Sequence, residues 1–290
     1  MGTVLILLIM SACAPEINDP NPNDYIINGP QDLYPAFSRD GKFIAYYHDA
    51  WVTPEPPAYP SGLYIIDANG DNRKLVLEGH FESPSWSPNG RWLAFSSSGS
   101  LYKCTINGDS LSRFNRLDSL ENPGTYYPSW TNDNQFIVFD KALNPGYGIY
   151  TTSTDFKTVD ALFDLAVTGR DAELSRDGAA LVFERGGPGI EHMEIFKISL
   201  TSNTEIQLTE NKKDNRSPTW SADGSRIAWS SNLELFVMNS DGTGQEKIGY
   251  GNCPSWSPSN EIVVSHSNED YTKEVLYVTD LAGSRVQITF

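Results

Sequence analysis

The chain has 290 residues, with 21 Lys and Arg against 37 Asp and Glu and a formal net charge of −16. That excess of acid repels phosphate backbones, whose binding rests on cationic side chains displacing counterions, so nucleic acid is excluded as an expected partner. With 12% aromatics, 23 Gly and 18 Pro, the composition suits many short strands and tight turns and leaves little room for long helices.

In chain order, the first element is the apolar run Val4 to Met10, too short to span a bilayer but long enough for a signal-peptide core. It ends at Ser11-Ala12-Cys13, which resembles the bacterial lipobox. The resemblance implies a signal peptide over residues 1–12, lipid attached at Cys13, and a location in the bacterial cell envelope, periplasmic or at the outer membrane. Membrane contact would then be through the lipid alone. Residues 13–30 are rich in Asn, Asp and Pro, cannot bury enough apolar surface to order themselves, and are expected to form a flexible tether.

From residue 31 to the C-terminus the chain repeats itself at the period of a propeller blade, about 45 residues. The phrase Pro-x-aromatic-Ser-x-Asp/Asn-Gly begins at Pro35 and Pro84, is complete again at Pro218, and has weaker copies at Pro128, Ala172 and Pro254. Each Asp-Gly or Asn-Gly pair tolerates the positive φ of a tight hairpin. Each is followed by a nearly continuous apolar strand, such as Phe43-Ile44-Ala45-Tyr46 or Trp92-Leu93-Ala94-Phe95, whose composition implies burial on both faces. A third strand (Leu63 to Ile66, Leu235 to Val237) and a more polar fourth (Glu205 to Thr209, Arg285 to Thr289) complete each unit. A thin sheet with two apolar faces must pack against others, so the expected fold is all-β: six four-stranded antiparallel blades closed radially into a six-bladed β-propeller.

These phrases resemble the WD-like propeller repeat of the TolB family, and the likeness covers residues 31–290. TolB carries an additional α/β domain ahead of its propeller that no stretch here is long enough to encode, so partners of that domain are not implied.

The register also places the cysteines. Cys104 falls in a third strand as an apolar filler, and Cys253 immediately precedes the sixth repeat. Blades two and six are not neighbours, and a bridge needs Cα atoms within about 7 Å, so two free thiols are expected. Trp86, Trp130, Trp220 and Trp256 recur at one blade position and are read as core between blades.

Propeller topology puts the Asp-Gly turns on one rim and the irregular connections on the other, with insertions at His48 to Ser61, Arg185 to Met193 and His266 to Glu274. Variable loops on a rigid scaffold are where binding residues sit. Tyr34, Glu82, Tyr126, Tyr127, Arg170, Asp171, Arg216 and Asn252, just ahead of the innermost strands, are expected to line the channel mouth there. Such a mixture suits a peptide segment or a glycan, with rings stacking while charges and amides orient. Trp51 and Tyr59, in a Pro-rich loop, are either interface anchors or a lid on their own blade.

His48, His80, His192 and His266 lie on the same rim but on separate blades, without the close spacing of a metal-ligand set, and read as surface histidines. No cofactor is implied. Gly-x-Ser-x-Gly, phosphate-loop, dinucleotide and zinc-protease signatures are absent, so binding is read ahead of catalysis. The expected protein is a monomeric envelope scaffold for a protein or glycan. The alternative is a propeller carbohydrate-active enzyme resembling the metal-assisted polysaccharide lyases.

Overall fold

The computed structural model describes residues 29–50, 59–114, 124–142, 147–161, 169–187, 190–268 and 271–289. These contain 24 strands and no helix, arranged as six antiparallel meanders over residues 31–78, 82–113, 125–161, 170–207, 215–250 and 252–287. The innermost strands are Gln31–Phe37, Glu82–Trp86, Thr125–Trp130, Arg170–Leu174, Asn215–Trp220 and Asn252–Trp256, and each adjoins the next around a closed circle. The expected six-bladed propeller is therefore the fold observed.

The repeated phrase is a hydrogen-bonded turn. In blade one the Ser38 hydroxyl donates to Asp40 at 2.7 Å and accepts from the Phe43 N–H at 3.0 Å, while the Gly41 N–H donates to the Ser38 carbonyl at 2.9 Å. The same network recurs at Ser87, Thr131, Ser175 and Ser221. Its last residue has positive φ throughout, from Gly90 at 69° to Gly178 at 74°. In blades three and six Asn134 and Asn260 take this place at 58° and 64°, conformations asparagine adopts more readily than other residues with a side chain.

The core lies between blades. Six hydrophobic clusters each draw on two neighbours: Ala45, Leu63 and Val76 of blade one, for example, pack on Trp86, Leu93, Phe95 and Cys104 of blade two. The repeated tryptophans sit at these seams, 6–9% exposed. The indole N–H donates backward across the seam, Trp86 to the Ala36 carbonyl (2.9 Å), Trp130 to Ser85 (3.1 Å) and Trp220 to Glu173 (3.1 Å). Trp256 has no such partner among the described residues. Cys104 is fully buried and both cysteines are free, as expected, and burial pushes the thiol of each up to about 12.

The last blade takes all four strands from the C-terminal stretch, so the ring closes without strand exchange. Closure instead uses one parallel bridge, Gln31 to Glu274, and a 3.0 Å bond from the Phe37 N–H to the Ser255 hydroxyl. Phe37, Ile44 and Tyr46 also pack on Val263, Leu276 and Ile288. Gly29 comes so near the Thr272 carbonyl that an added Cβ would lie 2.3 Å from its oxygen.

One expectation is corrected. Arg185 to Met193 is less an inserted loop than the end of a long hairpin, because Ala180–Gly187 and Ile190–Ser199 pair out to Gly187 and Ile190. Residues 188 and 189 lie outside the described residues.

Candidate functional site: the channel and its loop-side mouth

The six inner strands enclose a cavity of about 280 Å³ along the ring axis, at the small end of ligand pockets. Its mouth is shaped by a backbone device that occurs in every blade. Just before the first residue of each repeated phrase, Pro in five blades and Ala172 in the fourth, Tyr34, Ser83, Tyr127, Asp171, Ser217 and Cys253 have φ between 49° and 53°. The strand ladder slips at this place, leaving an extra residue out of register. This is a β-bulge, which turns a side chain out of its normal alternation. A left-handed non-glycine residue costs roughly 1–2 kcal/mol, so the surrounding fold must hold all six. All six line the cavity.

This divides the expected mouth residues in two. Tyr34, Tyr127 and Asp171 belong to the inward ring, with Ser83, Ser217 and Cys253 as members that sequence reasoning missed, although all stand at the same repeat position. Glu82, Tyr126, Arg170, Arg216 and Asn252 lie one residue earlier and do not line the cavity. Tyr126 instead packs edge-on to Tyr147, ring centroids 6.3 Å apart.

Buried carboxylates brace the bulges of blades four and five. Asp140, fully buried, accepts the Asp171 N–H at 2.5 Å, and its other oxygen has no partner among the described residues. Burial raises its pKa well above its ordinary 3.8, against the Asp171 N–H that it accepts. Glu184 accepts the Ser217 N–H (3.0 Å) and pairs with Arg170 (2.6 Å), and Arg216 approaches it at 3.8 Å. Both acids interrupt otherwise apolar second strands, which was the available signal for them. Asp171 is pushed up to about 7 by burial and then by the Glu184 charge. Glu173, deeper in the wall, is pushed up to about 7 by burial, although Thr219 and the Trp220 N–H bond to it. Burial raises Tyr34 to about 12.

The histidines do not converge. His48 and His266, expected at the surface, are buried between their neighbours, and His48 stands 2.7 Å from Asp32, which also receives Arg73. His80 meets the Tyr47 hydroxyl at 2.9 Å, and His266 stacks on Tyr250. His192 lies near Asp214, whose pKa is lowered first by the Met193 N–H that it accepts and then by Arg216 and His192. Among the described residues no three His, Cys, Asp or Glu side chains form a set that could hold a metal. Tyr59 is half exposed and packs on its own blade, with the Arg73 guanidinium 4.3 Å above its ring. Trp51 and Cys13 lie outside the described residues.

Residues 19–260 match the TolB beta propeller domain. The chain belongs to this family. Proteins similar to it include the uncharacterized protein Atu1656 of Agrobacterium fabrum, 27% identical, with 72% of this chain and 76% of that protein covered. The uncharacterized peptidase YuxL of Bacillus subtilis is 25% identical over 69% of this chain, which spans only 29% of that relative's length. Among solved structures, TolB from Acinetobacter baumannii superposes with a TM-score of 0.67 at 22% identity, covering 84% of this chain and 62% of that one. An oligogalacturonate lyase in complex with manganese shares the fold at 14% identity and a TM-score of 0.56, covering 86% and 89% of the two chains.

Proposed function

We propose that this propeller is a binding protein of the bacterial cell envelope, tethered through Cys13, that receives a segment of a protein or glycan partner at the loop-side mouth of its channel. The observation that carries this reading is the inward ring of Tyr34, Ser83, Tyr127, Asp171, Ser217 and Cys253, one strained residue per blade aimed into one cavity. Strain retained at a concave mouth is characteristic of sites that must be shaped in advance, and a preorganised receptor saves ordering entropy on binding. The ring mixes aromatic faces, hydroxyls and one acid, which suits an extended polar segment rather than an apolar ligand. The lyase alternative lacks a metal-ligand set among the described residues.

Protein immobilised at the C-terminus should capture partners from envelope extract, and the joint variant Tyr34→Ala with Tyr127→Ala should lose them while keeping its circular dichroism. Undiminished capture by that variant would overturn the assignment to this mouth. Mass spectrometry of the mature N-terminus tests the anchor, since acylated Cys13 is expected as the first residue.

A further inference from the structure

The opposite end of the channel has a different wall. The residue between the Ser or Thr and the Asp, Asn or Ser of each turn lies there, and all six (Arg39, Pro88, Asn132, Arg176, Ala222 and Pro258) line the cavity. None is acidic. Arg39 and Arg176 come from blades one and four, which face each other across a ring of six. They are close enough that the Arg176 charge, after burial, lowers the pKa of Arg39.

Three other arginines of this fold are held by acids. Arg170, Arg185 and Arg73 each meet a carboxylate within 3.3 Å. Arg39 has no hydrogen bond or ion pair among the described residues, and Arg176 makes only a 3.3 Å bond to the Ala222 carbonyl. The acids next to them are engaged elsewhere. Asp40 is held by Ser38 and the Lys42 N–H, and Asp177 by Ser175 and the Ala179 N–H. In a chain with 37 acids to 21 bases, two guanidinium groups without a carboxylate partner line the same end of one channel from opposite blades. Like charges brought together in a partly desolvated channel repel, and an anion between them relieves that repulsion.

We propose that Arg39 and Arg176 form an oxyanion clamp at the turn-side end of the channel, which takes a carboxylate or phosphate group. Each planar guanidinium offers a fork of donors matched to two oxygens of such a group. The clamp sits at the far end from the loop-side mouth and does not depend on the function proposed there.

The test is calorimetric titration with inorganic phosphate and, separately, acetate, against sodium chloride at matched ionic strength. Saturable binding of at least one is expected in the wild type. It should weaken on the order of tenfold in Arg176→Gln and vanish in Arg39→Gln/Arg176→Gln, as loss of charge-assisted hydrogen bonds implies. Preference for phosphate or for acetate identifies which oxyanion the clamp suits. The Arg39→Lys/Arg176→Lys variant, which keeps charge but not the forks, should bind in between. Arg176 is exposed on its turn, so Arg176→Gln keeps the test open if the double variant fails to fold. Absence of binding to both probes overturns the proposal, as does binding unchanged by Arg176→Gln, which would mean an adventitious ion only.

Discussion

The two rims of the propeller are built on opposite plans. At the turn side nearly every blade repeats one network, a Ser or Thr hydroxyl bridging its own turn and a residue with positive φ at the corner. At the loop side the backbone bulge repeats six times, but the side chains it presents do not: two tyrosines, two serines, an acid and a thiol. Repetition marks what every blade needs in order to fold and pack, whereas variation on a repeated backbone marks what differs for recognition.

Substitutions should separate these roles. The largest effect is expected at a repeated seam: Trp220→Ala should destabilise by about 3–5 kcal/mol in denaturant titration. Trp220→Phe should cost more than Trp256→Phe, because only the former strips a partner from a seam carbonyl. Equal losses at the two positions would break the assignment of that bond.

Next comes the acid wall. The Glu173 pKa of about 7 lies above its ordinary 4.5, so the native state holds this proton more tightly than the unfolded chain. Its stabilisation is fully present below about pH 4.5 and is lost as pH rises through 7, on the order of 3 kcal/mol. Asp171 acts in the same direction. Glu173→Gln should therefore flatten the fall in stability between pH 4.5 and 7.5, and an unchanged slope would contradict the burial of this group.

A smaller loss, about 1 kcal/mol, is expected for Gly224→Ala. Its Cβ would meet nothing within 4 Å, so the cost is that of φ at 71° alone. Gly41→Ala should lose more, since its Cβ would fall 2.8 Å from Pro258. Smallest of all should be Arg216→Ala on the loop side, within about 0.5 kcal/mol, because Glu184 keeps Arg170 at 2.6 Å. Denaturant titration of that variant should be nearly superimposable on that of the wild type.

The residues that could be read in advance are those whose role is decided within a few positions of themselves. Ser38, Asp40 and Gly41 make a turn by bonding to one another, and the alternation of apolar and polar strands follows from burial on two faces. Blade number, strand order, the inter-blade tryptophans and the unpaired cysteines were legible for that reason. The mouth was legible only to within one residue, because a bulge reverses side-chain parity and no local pattern announced that Tyr127 rather than Tyr126 faces the axis. Asp140 and Glu184 showed themselves as acids in apolar strands, yet their partners, the N–H groups of Asp171 and Ser217, lie 31 and 33 positions away in the next blade. Closure of the ring decided those contacts, and it set Arg39 opposite Arg176, since only a circle of six brings the first and fourth repeats face to face.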